Sequence, residues 1–199
     1  MAHNYDLMND AMSLGVHRCW KDQFVGMLGP LKGLKVRDEK TGEVTGYEPM
    51  KVLDVAAGSG DISFRMLKKA AEDSKGQAKL GVEITMTDIN ADMLEVGKRR
   101  AVEQNLFHDL KFQVLNAQDL SSFQDEYFDI YTIAFGIRNV TDRPKALQQA
   151  FQKLKKGGRF MCLEFSEVQV PIFKEFYDFW SFNVIPQLGQ VLANDAASY

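Results

Sequence analysis

The 199-residue chain carries 24 Lys and Arg against 27 Asp and Glu, a formal net charge of −3 at pH 7. That balance supplies no general basic field for nucleic acid, and the length suits one domain with a sizeable core. Its 2 cysteines, Cys19 and Cys162, and 3 histidines, His3, His17 and His108, lack metal-ligand spacing, so neither a metal site nor a disulfide framework is expected.

No apolar run approaches the roughly 18 residues of a membrane span, and the first residues show neither a signal-peptide core nor an Arg/Ser-rich presequence. The two scattered cysteines make a reducing compartment the default, and the length predicts a single domain over residues 1–199. It reads as N-terminal helices and an exposed loop (1–50), a ligand-binding core (51–170) and an aromatic C-terminal part (171–199).

In chain order, residues 4–14 place Leu7, Met8, Ala11 and Met12 at helical spacing, and a second short helix ends near Gly29-Pro30. These helices either pack on the sheet that follows or close over it as a lid. Residues 32–50, charged and punctuated by glycine, read as an exposed, mobile loop or hairpin. Val52-Leu53-Asp54-Val55-Ala56-Ala57-Gly58-Ser59-Gly60-Asp61-Ile62 then runs from strand through a tight turn into a helix.

Gly58 and Gly60 let a ligand approach the backbone, and the free N–H groups at the helix start favour an anion. A dinucleotide fingerprint needs a third glycine where Ser63 stands. Asp54, at the strand end, opposes a pyrophosphate and suits a ligand with an ammonium and a sulfonium, as in S-adenosylmethionine.

Residues 62–71 form a crossover helix with Ile62, Met66, Leu67 and Ala70 on one face. Residues 82–88 form a second strand ending at Asp88, where a carboxylate can accept from both hydroxyls of a ribose or serve as a helix N-cap. The following helix turns Met93, Leu94, Gly97 and Ala101 inward. Residues 110–115 are a third strand, after which Asn116 and Ala117 can read an adenine edge.

Residues 129–135 make an almost continuously apolar fourth strand, leading to the loop Gly136-Ile137-Arg138-Asn139-Val140. Residues 143–154 form a helix with Ala146, Leu147, Ala150, Phe151 and Leu154 at core spacing, stopped by Gly157-Gly158, and residues 159–165 a fifth strand. The alternation predicts an α/β fold with a parallel, doubly wound, Rossmann-like sheet. Residues 171–186 follow as an aromatic helix, suited to the core, a subunit interface or a greasy ligand.

Tyr5-Asp6-Leu7-Met8-Asn9-Asp10, Met12-Ser13-Leu14-Gly15-Val16-His17-Arg18 and Trp20-Lys21 resemble a signature of the ubiquinone/menaquinone biosynthesis C-methyltransferases. Phe135-Gly136-Ile137-Arg138-Asn139-Val140-Thr141-Asp142 resembles a second, and Leu163-Glu164-Phe165-Ser166 with Ala193-Asn194-Asp195 also fit. The charged insert before Val52 and the long loop after Ala71 are similar to the eukaryotic, mitochondrial branch, the 2-methoxy-6-polyprenyl-1,4-benzoquinol methylases.

The resemblance implies a class I S-adenosylmethionine-dependent methyltransferase fold. Its last antiparallel strands are expected beyond Tyr199, which leaves the activity of this chain by itself in question. By position the family's donor site falls on Ser59, Asp88, Asn116 and Ala117; a serine of the bacterial pattern is Ala134 here.

The implied setting is the matrix face of the mitochondrial inner membrane. There the chain would be a peripheral homodimer, in contact with a coenzyme Q biosynthetic complex and acting on a polyprenyl benzoquinol. For the chemistry, Arg138 is expected to hold a phenolate as a cation, Asn139 to orient the hydroxyl, and His17 or Tyr5 to relay the proton. The alternatives are a non-catalytic donor-binding subunit and a nicotinamide oxidoreductase, the latter opposed by Asp54 and the missing glycine.

Overall fold

The computed structural model describes residues 16–74, 81–106, 108 and 110–165. Two compact units divide the chain, one of Phe24–Glu164 and one of Met1–Gln23 with Phe165–Tyr199. In the unit of the chain ends, the described residues include most of helix α1 (Val16–Gly26), and the rings of Trp20 and Phe165 meet edge to face at 6.0 Å. The predicted helix over residues 4–14 and the aromatic stretch over 171–186 lie outside the described residues, as does Tyr5.

The larger unit opens with a hairpin, strand β1 (Leu34–Arg37) antiparallel to β2 (Val44–Glu48), within the segment read as loop or hairpin. Its turn is fastened by Asp38, whose carboxylate accepts from the N–H groups of Lys40 and Thr41 at 2.9 and 2.8 Å. A parallel sheet follows, built from β3 (Met50–Val55), β4 (Val82–Asp88), β5 (Leu110–Val114), β6 (Phe128–Ala134) and β7 (Leu154–Leu163). Its spatial order is β5-β4-β3-β6-β7, so the chain leaves β3 toward one edge and later returns to its other side. A reversal of this kind opens a crevice at the carboxyl ends of the strands, where ligands of such sheets bind.

Period-two alternation divides β3 between two cores, Val52 in one and Leu53 and Val55 in the other. Helices α2 (Asp61–Asp73) and α3 (Ala91–Glu103) cover one face, where Met66, Leu67, Ala70, Leu94 and Ala101 cluster with Val52, Ile84, Met86 and Ile130. Helix α4 (Arg143–Lys153) covers the other, setting Ala146 and Ala150 among Leu53, Val55, Tyr131 and Ile133. Burying each large apolar side chain contributes about 1.5–3 kcal/mol. Helix α3 is started by Asn90, whose side chain accepts from the N–H groups of Asp92 and Met93, so the N-cap is Asn90 and Asp88 is spared that role.

Two expectations are corrected. Leu147 and Phe151 are exposed, at 44% and 82%, because the stripe that α4 sets into the core of the sheet runs through Ala146 and Ala150. The fifth strand starts at Leu154, not 159: Leu154 pairs with Phe128 directly after the helix. Pairing resumes at Ile130 with Arg159, so the segment holding Gly157 and Gly158 bulges within the strand instead of separating helix from strand.

Candidate active site

The glycine turn sits at the carboxyl end of β3. Ala56, Gly58 and Gly60 have φ of 53°, 55° and 90°, a run of left-handed conformations that turns the chain sharply into α2. Ala56 holds that conformation without glycine's freedom, and Phe135, at the end of neighbouring β6, does the same at 55°. Such strain collects at ligand sites, where surrounding structure enforces it. The turns after β3 and β6 touch: a Cβ placed on Gly136 would lie 2.5 Å from that of Ala56.

Asp88 ends β4 beside the turn. One carboxylate oxygen accepts from the Gly58 N–H at 2.8 Å and the other from the Asn90 N–H at 2.8 Å. An ionised carboxylate has about four acceptor positions, so both oxygens keep capacity for a ribose diol. The next residue, Ile89, is 69% exposed and presents an apolar surface suited to a purine face. Helix α2 begins at Gly60 with no side-chain cap; its first turn carries Asp61, paired with Arg65 at 3.4 Å, and its free N–H groups favour an anion.

Asp54 is placed differently from the sequence expectation. Alternation along β3 gives it the side of Val52, beneath α2, and it is 1% exposed. Its carboxylate accepts from the hydroxyls of Ser63 at 2.6 Å and Thr132 at 2.8 Å, which ties strand, helix and β6 together under the turn. Burial pushes its pKa up to about 6 against the opposing pull of those hydrogen bonds. Its part is to brace the turn from below, since no surface is left for a direct ion pair with a ligand.

Asn116 spends its side-chain oxygen on the turn it begins, accepting from the backbone N–H of Gln118 at 2.9 Å and its Nε2 at 3.2 Å. Ala117 is 8% exposed and belongs to the core beneath α4. Arg138 and Asn139 form a 3-10 turn, Ile137–Asn139, directly after the Gly136 contact. The Arg138 guanidinium pairs with Glu164 at 2.5 Å, and the other Glu164 oxygen accepts the Arg138 backbone N–H at 3.3 Å. Arg143 holds the same turn by donating to the carbonyls of Ile137 and Arg138 at 3.3 and 2.9 Å. His17, 7% exposed on α1, belongs to the unit of the chain ends.

Three residues with roles here were given none by the sequence, although Glu164 lies in a motif that carries the resemblance. Glu164, just after β7, and Arg143, on α4, grip the arginine turn, and Arg100 donates to the carbonyl and hydroxyl oxygens of Ser59 at 3.2 and 2.9 Å. Arg100 left one local sign, a cation one turn beyond inward-facing Gly97. A cavity of about 630 Å³ lies elsewhere, between α4 and the segment after β5. Its buried Lys153 is held by Asp125 at 2.6 Å and the Phe123 carbonyl at 2.9 Å, and no part of the glycine turn lines it.

The chemistry of this set fits S-adenosylmethionine: a carboxylate for its diol, an apolar surface for its base and an uncapped helix start for its anionic end. A family model described as the ubiE/COQ5 methyltransferase family matches residues 1–199. The chain belongs to that family.

Among its relatives, the ubiquinone/menaquinone biosynthesis C-methyltransferase UbiE of Bradyrhizobium sp. is 49% identical over 199 residues, covering all of this chain and 70% of that protein. The enzyme of the same name from Rickettsia prowazekii is 44% identical over the same 199 residues, 71% of its length.

Of the solved structures, the YcgJ protein from Bacillus subtilis superposes with a TM-score of 0.52 at 25% identity, over 72% of this chain and 52% of that one. The trans-methyltransferase CalH, in complex with SAH, gives 0.54 at 17% identity, over 73% and 39%, a likeness of fold. This ubiE/COQ5 family member is therefore an S-adenosylmethionine-dependent C-methyltransferase of the ubiquinone/menaquinone biosynthesis type, on the class I fold.

Proposed function

We propose that this enzyme methylates a ring carbon of a polyprenyl benzoquinol in the ubiquinone branch. The observation that carries the reading is the contact between Gly136 and Ala56, which sets the Arg138 turn against the glycine turn. When bound, S-adenosylmethionine supplies a methyl group already activated on a sulfonium. Asp88 and Ser59 would hold it.

The protein's own task is to orient the ring and enrich its carbon in electrons. A quinol gains electron density by losing a phenolic proton, and a fixed cation lowers the pKa of that hydroxyl. Arg138 serves as that cation and not as a base, since a guanidinium stays protonated below about pH 12. Glu164 and Arg143 fix its position; Asn139, next in the same turn, orients the hydroxyl, and His17 or Tyr5 takes the proton onward.

The test is Arg138→Ala in the intact protein with a short-chain quinol analogue. Turnover at neutral pH is expected to fall by roughly a hundredfold, the scale of losing one preorganised charge in a site, with partial recovery at high pH as the phenol ionises unaided. Unchanged neutral turnover overturns the role. Methyl transfer by the unaltered protein also separates an enzyme from a donor-binding subunit.

The prenyl tail calls for a membrane-side entrance, and the aromatic residues Phe176 and Trp180 are suited to it. The wider setting is the matrix face of the mitochondrial inner membrane, as a homodimer associated with a coenzyme Q biosynthetic complex. Its support is the motif resemblance together with the charged insert before Val52. Flotation with liposomes is expected for the unaltered protein and to weaken in a Phe176→Ser, Trp180→Ser variant; flotation equal in both removes the aromatic stretch from this reading.

A further inference from the structure

Helix α3 and the strand end before it hold the glycine turn at successive points. Asp88 takes the Gly58 N–H at 2.8 Å. Gly97 packs so closely that a Cβ there would lie 3.4 Å from the carbonyl carbon of Ser59 and 3.5 Å from the carbonyl oxygen of Gly58. One turn on, a single guanidinium nitrogen of Arg100 donates to both the carbonyl and the hydroxyl oxygen of Ser59, while the guanidinium lies 5.2 Å over the ring of Phe64 on α2.

A guanidinium has donors only, so the Ser59 hydroxyl accepts from Arg100 and directs its own proton elsewhere. Accepting from a cation makes that O–H a stronger donor. The uncapped start of α2 follows at once and adds the positive end of its dipole, while Asp61 in that first turn is paired with Arg65 at 3.4 Å. Cation, polarised hydroxyl and helix start thus gather at one side of the turn. S-adenosylmethionine carries one anionic group, the carboxylate of its amino-acid end.

We infer that Arg100 is a positioning residue that fixes Ser59 and polarises its hydroxyl toward the carboxylate of the methyl donor. The inference rests on the donor site described above and names what recognises one end of that donor.

Calorimetric titration of the intact protein with S-adenosylmethionine and with its decarboxylated analogue tests it. Arg100→Met is expected to weaken the complete donor about tenfold while changing affinity for the decarboxylated analogue by less than about twofold. Arg100→Lys, which keeps the charge but not the fork of donors, is expected to restore part of the loss. Ser59→Ala and Arg100→Met combined are expected to cost little more than Ser59→Ala alone, because Ser59→Ala removes the hydroxyl through which Arg100 acts.

Equal losses for both ligands reduce Arg100 to a packing residue and overturn the inference, as does an unaltered affinity in both Arg100 variants. Failure of the unaltered protein to bind either ligand removes the donor reading itself, a result distinct from any pattern among the variants.

Discussion

At the scale of single residues, Asp54 shows how a motif position and a ligand contact come apart. Its folded pKa of about 6 stands above the ordinary 3.8. Between those values the folded chain binds more protons than the unfolded one, so this group's contribution is greatest in acid and is lost as pH rises from about 4 to about 6. A rise of that size corresponds to about 3 kcal/mol, an upper bound for the change. Asp54→Asn keeps a hydrogen-bonding group between Ser63 and Thr132 without the charge. Urea unfolding from pH 4.5 to 7 is expected to show the unaltered protein losing stability with pH relative to the variant; parallel curves count against a buried, titrating carboxylate. Nothing in the sequence around Asp54 announced this. Asp-x-x-x-Gly-x-Gly reads the same whether the acid faces ligand or core, and the Ser63 and Thr132 hydroxyls beside it are placed only by folding.

At the scale of elements, the site is made by two turns pressed together, and glycine is required for different reasons in each. Gly60 needs its positive φ of 90°, and a Cβ there would meet Met86 Cε at 2.8 Å and Phe64 Cζ at 2.9 Å. The methionine tip can swing aside; the aromatic ring yields less. At Gly136 the obstacle is the Cβ of Ala56, 2.5 Å away and fixed to the backbone, so relief requires the turns to separate. Gly136→Ala is therefore expected to lower turnover by roughly tenfold or more, the cost of misplacing a reacting group, while donor affinity measured by calorimetry changes less. A variant with full turnover would show that the contact between turns does not position Arg138. The strands and helix faces were legible beforehand, because periods of 2 and 3.6 are local; Leu147 and Phe151 were misplaced because the width of a helix's buried stripe depends on what lies opposite.

At the scale of the whole molecule, a ligand that binds only the folded chain raises its stability by RT ln(1 + [L]/Kd), about 2.7 kcal/mol at one hundred times Kd. S-adenosylmethionine is expected to raise the melting temperature of this protein in that manner, and NADH at equal concentration to leave it unmoved. A shift with NADH instead would revive the oxidoreductase alternative. The sequence by itself determined the order of strands and helices, the glycine turn, Asp88 at a strand end and the likeness to quinol methyltransferases, since all of these are written in neighbouring residues. The tertiary structure decided the burial of Asp54, the grip of Arg100 on Ser59 across 41 positions and that of Glu164 on Arg138 across 26. Those partners are brought together by parallel strand register and helix packing, and no local pattern specifies which distant side chain will arrive.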